Sequence, residues 1–398
     1  MRALEVRAPH EVPVAAPRAT RPYRWTVIGP AGHPAAAALH ATSDSAAPAA
    51  TAVLLGRRFR PADNARLLTA VTRAGSHGGR LALLHLGAGG GSLLRAAAVE
   101  DPRLSVVVVE LTGRGSPAAV RAAVAAAAGD PLDAELHVDD HGRFTSTAWR
   151  TCALPAEEVE SHPGSVLVTG GLGGLGLRAA AVLACRRGLH PILVDTADPG
   201  ELGPAARRHL TRLAVGGVTL VRADVTDGPR LRRALDGVTA AVPTVLVHCA
   251  GLLRGGPVAA MTPSTLHTLQ RVKSDGLRNV IEALPQPALR QVVVYGSITA
   301  ERPHRSLGAY ALANELLRRT AERHAADLPR AAVVVAEWSL WSGAGMAHGT
   351  PGAVAAARRM GMAPVPVGPG TAALDALLRL PATPGTTTRL LLTGQRTG

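Results

Sequence analysis

The stretch Ser165-Val166-Leu167-Val168-Thr169-Gly170-Gly171-Leu172-Gly173-Gly174-Leu175-Gly176 constrains the fold more than any other part of this chain. Four β-favouring residues lead into a glycine-rich turn, and residues 177–187 read as the helix that follows. Gly171, Gly173 and Gly176 form G-x-G-x-x-G. With 43 glycines in 398 residues the pattern alone would mean little; its position after a strand and before a helix gives it weight. A turn without Cβ atoms lets a pyrophosphate approach the helix N-terminus, where free N–H groups and the positive end of the dipole favour an anion.

The rest of the second half repeats strand and helix. Apolar runs at 165–169, 191–195, 218–222, 244–248, 291–296, 332–337 and 388–393 predict strands, with helices between them, one of them a long helix over 262–284. Such alternation predicts an α/β fold: a parallel sheet covered on both faces, with ligand at the carboxyl ends of its strands. Residues 343–367, rich in Gly, Ala, Pro and Met, break the pattern and are the natural place for a mobile lid. The first half shows a similar pattern, with strands at 25–28, 52–55, 80–86 and 105–111 and helices at 31–40, 61–74, 91–99 and 117–128. A hairpin is expected around Asp139-Asp140-His141-Gly142. Its acidic and histidine content resembles a metal site, but a tight turn explains it more simply, and no metal is expected. Gly87-Ala88-Gly89-Gly90-Gly91 follows a strand without an acidic or catalytic sequel and reads as a loop. Residues 1–22, rich in Pro and Ala, read as a disordered lead-in, and 154–164 as a linker between a 23–153 unit and a 165–398 unit.

A formal net charge of +14 suggests nucleic acid first, yet the arginines are dispersed and no aromatic residues are interleaved for stacking. An acidic protein partner or an anionic cofactor fits better. No secretory h-region and no apolar run of membrane length is present, and three scattered cysteines point to a reducing compartment, so a cytoplasmic protein is expected. Composition also isolates one residue. Lys273 is the only lysine; all other members of the 43 Lys and Arg are arginine. Arginine replaces lysine as a surface charge almost anywhere, but not where a compact ammonium must sit beside a ribose and a phenol.

Ser297 closes the fifth strand of the second half, Tyr310 follows 13 residues later at the start of a helix, and Asn314 lies one turn further on the same face. Hydride delivery to a ketone leaves an oxyanion that needs a proton. A tyrosine supplies it if an adjacent ammonium lowers its pKa from about 10, while a serine hydroxyl holds the carbonyl oxygen. Asp195, at the end of the second strand, can accept from a ribose hydroxyl or cap the next turn. Asp224-Val225 ends the third strand, facing an adenine, and His248-Cys249-Ala250-Gly251 ends the fourth, where small residues admit a nicotinamide ribose. His248 itself reads as a buried strand histidine.

With these residues in place the chain resembles the ketoreductase domains of modular polyketide synthases, a branch of the short-chain dehydrogenase/reductases. Thr169 to Gly176 (Thr169, Gly170, Gly171, Gly173, Gly174, Leu175, Gly176), Asp224-Val225 and Ala250-Gly251 match that family's cofactor motifs. Tyr310, Ser297, Lys273 and Asn314 match its catalytic set, with lysine and asparagine exchanged relative to ordinary short-chain reductases. Trp338-Ser339-Leu340-Trp341 resembles the segment after its sixth strand, and residues 93–102 resemble part of its cofactor-free structural subdomain. The resemblance implies two Rossmann-like subdomains, a truncated structural one and a catalytic one binding NAD(P)H. It also implies an acyl carrier protein partner bearing a phosphopantetheine-linked ketone.

Three departures stand out. Asp195-Thr196-Ala197 stands where the family has the serine and arginine that grip the NADPH 2′-phosphate, so Asp195 favours NADH where the family favours NADPH. Leu253-Arg254-Gly255 replaces one stereochemical marker and Arg302 another, so neither stereochemical label transfers. The start at Met1 without flanking synthase domains suggests a discrete enzyme acting in trans. Reduction of a free ketone is the second enzymatic reading. A catalytically silent scaffold or dinucleotide-binding module is a third, against which the complete set of four residues argues.

Overall fold

The apolar runs of both halves meet in a single sheet. The computed structural model describes residues 4–395 apart from 18, 20, 78, 157–163, 239–241, 347, 349, 350, 382 and 384. The first half runs β1 (Leu4–Val14), β2 (Arg24–Ile28), α1 (Pro34–Ala41), β3 (Ala49–Leu55), α2 (Pro61–Ser76), β4 (Arg80–His85), α3 (Gly91–Glu100), β5 (Ser105–Leu111), α4 (Pro117–Ala127), β6 (Leu136–Val138) and β7 (Phe144–Thr151). The second half begins with β8 (Ser165–Thr169), α5 (Gly174–Arg187), β9 (His190–Asp195), α6 (Pro204–Val215), β10 (Thr219–Arg222), α7 (Gly228–Asp236) and β11 (Pro243–His248). It continues with α8 (Pro263–Gln270), α9 (Gly276–Ala283), β12 (Gln291–Ser297), α10 (Gly308–His324), β13 (Ala332–Trp338) and β14 (Trp341–Ser342). It ends with α11 (Ala353–Arg359), β15 (Val365–Pro366), α12 (Val367–Leu377) and β16 (Thr387–Gly394).

Strand order is β10-β9-β8-β11-β12-β13-β16-β1-β7-β6-β5-β4-β3-β2, with β14 and β15 forming a separate parallel pair. Central strands such as β4, β8 and β13 are buried along their whole length, which is why they read as unbroken Val, Leu and Ala rather than as alternation. Proline stands first in α1, α2, α4, α6 and α8, where its fixed φ suits a helix start and its missing N–H costs nothing.

Where the helices following two neighbouring parallel strands leave to opposite faces, a crevice opens between their carboxyl ends. In the second half this happens between β8 and β11. Helix α5 packs with Val166 and Val168 on one face, and α9 packs with Leu167 and Leu246 on the other. In the first half it happens between β2 and β3, where α1 and α2 take opposite faces, and again between β4 and β5, because α3 packs with Leu81, Leu83 and Val108 while α4 packs with Ala82, Leu84 and Val109.

Two expectations need correcting. Residues 4–14 are not part of a disordered lead-in: β1 pairs antiparallel with β16 over Leu4–Arg7 and with β7 over Arg7–Val14, closing the seam between the half-sheets. Its prolines, Pro9 and Pro13, lie beyond Arg7, where only β7 flanks the strand, so the missing N–H groups fall where one edge is unpaired. The helix expected over 262–284 is not uniform either. Residues Arg271–Asp275 form a π-helical turn between α8 and α9, and Lys273 sits in it. The expected linker at 154–164 falls largely on 157–163, outside the described residues. Asp139 and Asp140 serve the hairpin and its neighbour: Asp139 accepts from the His141 and Arg143 N–H groups, and Asp140 from those of Arg114, Gly115 and Ser116.

Candidate active site

The glycine turn lies at the β8–β11 crevice. Gly170 adopts φ +62°, and a Cβ there would come within 3.0 Å of the Ala250 backbone. A Cβ on Gly171 would meet Leu193 at 2.7 Å, and one on Gly176 would overlap the Gly170 carbonyl oxygen. Gly173 caps α5 without any side-chain partner, and Gly173 and Gly174 are exposed, so the N–H groups of the first turn remain available to an anion. The residues present therefore fit a dinucleotide pyrophosphate.

Thr169 and His248 brace this turn. The Thr169 hydroxyl bonds His248 Nδ1 at 2.8 Å and accepts from the Ala250 N–H at 3.3 Å. His248 Nε2 bonds the Lys273 carbonyl at 3.0 Å. Burial, with the Lys273 charge nearby, lowers the His248 pKa to about 3, so the ring is a neutral strut between β8, β11 and the π turn. It is the buried strand histidine that its sequence position suggests, but its tie to Lys273 is not visible in any spacing.

Lys273 is 3% exposed, and burial lowers its pKa to about 8. Its ammonium donates to the Tyr295 carbonyl at 3.0 Å and lies 5.9 Å from the centre of the Tyr310 ring. The lysine stem passes Gly251, where a Cβ would sit 3.0 Å from its Cε. Burial holds the Tyr310 phenol above its ordinary value, and hydrogen bonding toward Asn314 and Ser297 offsets only part of that rise. Asn314 also donates from Nδ2 to the Tyr310 carbonyl at 2.7 Å. Ser297 Oγ accepts from the Thr299 hydroxyl at 3.0 Å.

Ser297, Lys273 and Tyr310 line one cavity of about 360 Å³, together with Leu175 of the glycine turn. Much of its remaining wall is apolar, with Leu253, Leu340, Trp341, Met346, Met360 and Met362, and Arg305, Thr299 and Ser339 add polar groups to it. Asn314 stands behind Tyr310 on α10. Asp195 reaches the glycine turn, its two carboxylate oxygens accepting from the Leu172 and Ala197 N–H groups at 3.0 Å each. Asp224 is exposed and accepts from the Thr226 N–H, while Val225 is buried against Gly276. Neither lines the cavity. The Tyr295 carbonyl and Thr299 were not singled out by sequence. A main-chain oxygen carries no residue identity, and Thr299 reaches Ser297 only because the chain turns after β12.

Residues 164–343 match the family model described as "KR domain". Over those residues the chain carries a KR domain. Relatives include the pikromycin polyketide synthase component PikAIII of Streptomyces venezuelae, 31% identical over 261 residues, which are 64% of this chain and 16% of that one. Polyketide synthase GfsA of Streptomyces halstedii is 31% identical over 304 residues, 71% of this chain and 4% of that protein. The chain thus spans a small part of these relatives' length. Among solved structures, the PlmKR1 ketoreductase from the first module of phoslactomycin biosynthesis in Streptomyces sp. HK803 superposes with a TM-score of 0.79 at 24% identity, covering 99% of this chain and 94% of that one. An A1-type ketoreductase superposes with a TM-score of 0.75, also at 24% identity, over 98% and 93%. At that identity the likeness is one of fold, and it extends over both halves. KR domains work with NAD(P)H, and the free N-terminus of α5 agrees with that use. No described helix is long and apolar enough to cross a membrane.

Proposed function

We propose that this chain is a cytoplasmic ketoreductase that reduces a ketone of an acyl chain carried on an acyl carrier protein, a polyketide or hybrid peptide-polyketide intermediate. The observation that carries the reading is the convergence of Lys273, Ser297 and Tyr310 on one cavity beside the glycine turn. The glycine turn would hold NAD(P)H, which when bound would supply the hydride. The Ser297 hydroxyl donates to the carbonyl oxygen and fixes its position. Tyr310 transfers its phenolic proton to the oxygen as negative charge develops there. Lys273, with its pKa lowered to about 8, remains largely protonated at neutral pH and stabilises the phenolate left behind. Asn314 holds the first turn of α10 by bonding the Tyr310 carbonyl. Residues 343–367 act as the lid, contributing Met346, Met360 and Met362 to an apolar wall suited to an acyl chain. The 23–153 unit serves as the structural subdomain and 165–398 as the catalytic one.

The test is Tyr310→Phe. Ketone-dependent NAD(P)H oxidation should be lost, while dinucleotide binding, read by cofactor fluorescence, stays within about twofold. Turnover within tenfold of the unsubstituted protein would overturn the assignment.

A further inference from the structure

The crevice between β4 and β5 receives side chains from the back of α10, the helix that carries Tyr310. Helix α3 begins after Gly90, its N-terminal cap residue, which adopts φ +111° and offers no capping side chain. The cap comes from Glu315 on α10, over two hundred residues away. Glu315 Oε1 accepts from the Gly90 N–H at 2.9 Å, and Oε2 accepts from the Ser92 N–H at 3.0 Å and the Ser92 hydroxyl at 2.6 Å. One turn further along α10, Arg319 pairs with Glu110 and Glu135, each at 3.1 Å. Gly89 must be glycine for both to enter: a Cβ there would lie 2.6 Å from Glu315 Oε1 and 2.7 Å from Arg319 Nε. Glu315 is 1% exposed. A carboxylate at that depth is costly unless fully hydrogen-bonded, and the open N-terminus of a helix supplies both the donors and a favourable dipole.

We propose that Glu315 is a positioning residue for proton transfer, locking the rotation and height of α10, and with it Tyr310, by seating its carboxylate on the N-terminus of α3. The inference rests on the reading of Tyr310 as proton donor. Glu315 follows Asn314 directly and stands about 7.5 Å along the helix axis from Tyr310. Tyr310 and Asn314 thus serve one crevice while Glu315 and Arg319 anchor in the other, on a single rigid helix. A displacement of about 1 Å at a reacting group costs about 100-fold in rate, so a small slip of α10 is felt at the phenol. The glycine run at 87–91 then has a role that its sequence does not show: it receives a carboxylate from within the chain where an equivalent turn elsewhere receives a phosphate.

The test uses the full chain with Glu315→Gln, which replaces one acceptor oxygen by a donor facing the α3 N–H groups. Expected results are a ten- to hundredfold fall in kcat for a soluble cyclic ketone and NAD(P)H affinity within twofold. The apparent pKa of the base in alcohol oxidation should also rise by half a unit or more, as the phenol moves relative to Lys273. A kcat within twofold with an unchanged pH profile overturns the proposal, as does a parallel loss of kcat and cofactor affinity. Ser92→Ala removes one bond to the same carboxylate and covers the case in which Glu315→Gln does not fold. It should lower kcat three- to fivefold with the same direction of pH shift, and an unchanged kcat overturns the proposal. An active Tyr310→Phe defeats the underlying reading, whereas an inactive Tyr310→Phe beside a normal Glu315→Gln defeats this inference alone.

Discussion

Lys273 carries a stability cost. Its pKa falls from 10.5 to about 8 on folding because burial disfavours the ammonium. Between those values the unfolded chain binds more protons than the folded one, so this residue's contribution to stability improves as pH rises from about 8 toward 10.5. Below pH 8 the full cost of the buried charge is present. Lys273→Met should therefore be inactive yet more stable without cofactor at pH 7 by about 2 kcal/mol, the shift converted and reduced for the lost bond to Tyr295. The gain should shrink above pH 10, as denaturant titrations at both pH values would show; a less stable variant at pH 7 refutes it. Lys273→Arg keeps the charge but enlarges the head group, and should lose most activity.

Cofactor choice, at the same scale, is expected to turn on Asp195. A 2′-phosphate near its carboxylate adds like charge, costing about 4 kcal/mol per charge pair at 4 Å and an effective dielectric near 20. Arg222, the nearby cation, is paired with Asp198 at 2.9 Å and would have to leave it to reach a phosphate. NADH should serve at least as well as NADPH, and Asp195→Ser with Thr196→Arg should shift preference toward NADPH. Steady-state kinetics with both cofactors decides it, and a hundredfold native preference for NADPH counts against the assignment.

At the scale of the element, the glycine turn and the π turn are the two irregular pieces that build the site. A Cβ on Gly176 would overlap the Gly170 carbonyl oxygen, so Gly176→Ala must push α5 away from the turn. Dinucleotide affinity should fall at least tenfold, whereas Gly32→Ala, with nothing within 4 Å, should leave it unchanged. Titration of cofactor fluorescence measures both, and equal affinities would mean the turn does not carry the phosphates. The π turn at Arg271–Asp275 holds Lys273 and gives its carbonyl to His248. Such a bulge within an otherwise helical run is common where a side chain must be re-aimed. Regular elements were legible because buried parallel strands leave short Val-rich apolar runs, as within residues 165–169 and 332–338. The π turn was not, since its sequence, Arg-Val-Lys-Ser-Asp, is ordinary helix material and only packing against His248 and Gly251 selects the wider loop.

For the whole molecule, a formal charge of +14 spread over dispersed arginines is a field rather than a site. If the substrate arrives on an acidic carrier protein, the field steers the encounter. Raising salt should then lower kcat/KM for a carrier-bound ketone more steeply than for the same acyl group on a small thioester. Equal salt dependence would favour reduction of a free ketone. The fold also joins its halves through contacts far apart in sequence, among them β1 between β16 and β7, the paired side chains of Asn64 and Gln270, and Glu315 on α3. The last of these ties α10, which carries Tyr310 and Asn314, to the first half of the chain.

The sequence by itself determined the α/β alternation, the glycine turn at residues 170–176 and the candidate set of Ser297, Tyr310, Asn314 and a sole Lys273. These are legible because each depends on local rules: strand burial, backbone access at glycine, helical spacing, and the chemistry that arginine cannot supply. Tertiary structure alone decided that residues 4–14 form a strand, that Lys273 leans on the Tyr295 carbonyl, and that a glycine run in the first half receives Glu315. Each of those rests on partners brought together by folding, where the burial of a backbone edge, an ammonium or a carboxylate must be matched by whatever the rest of the chain places beside it.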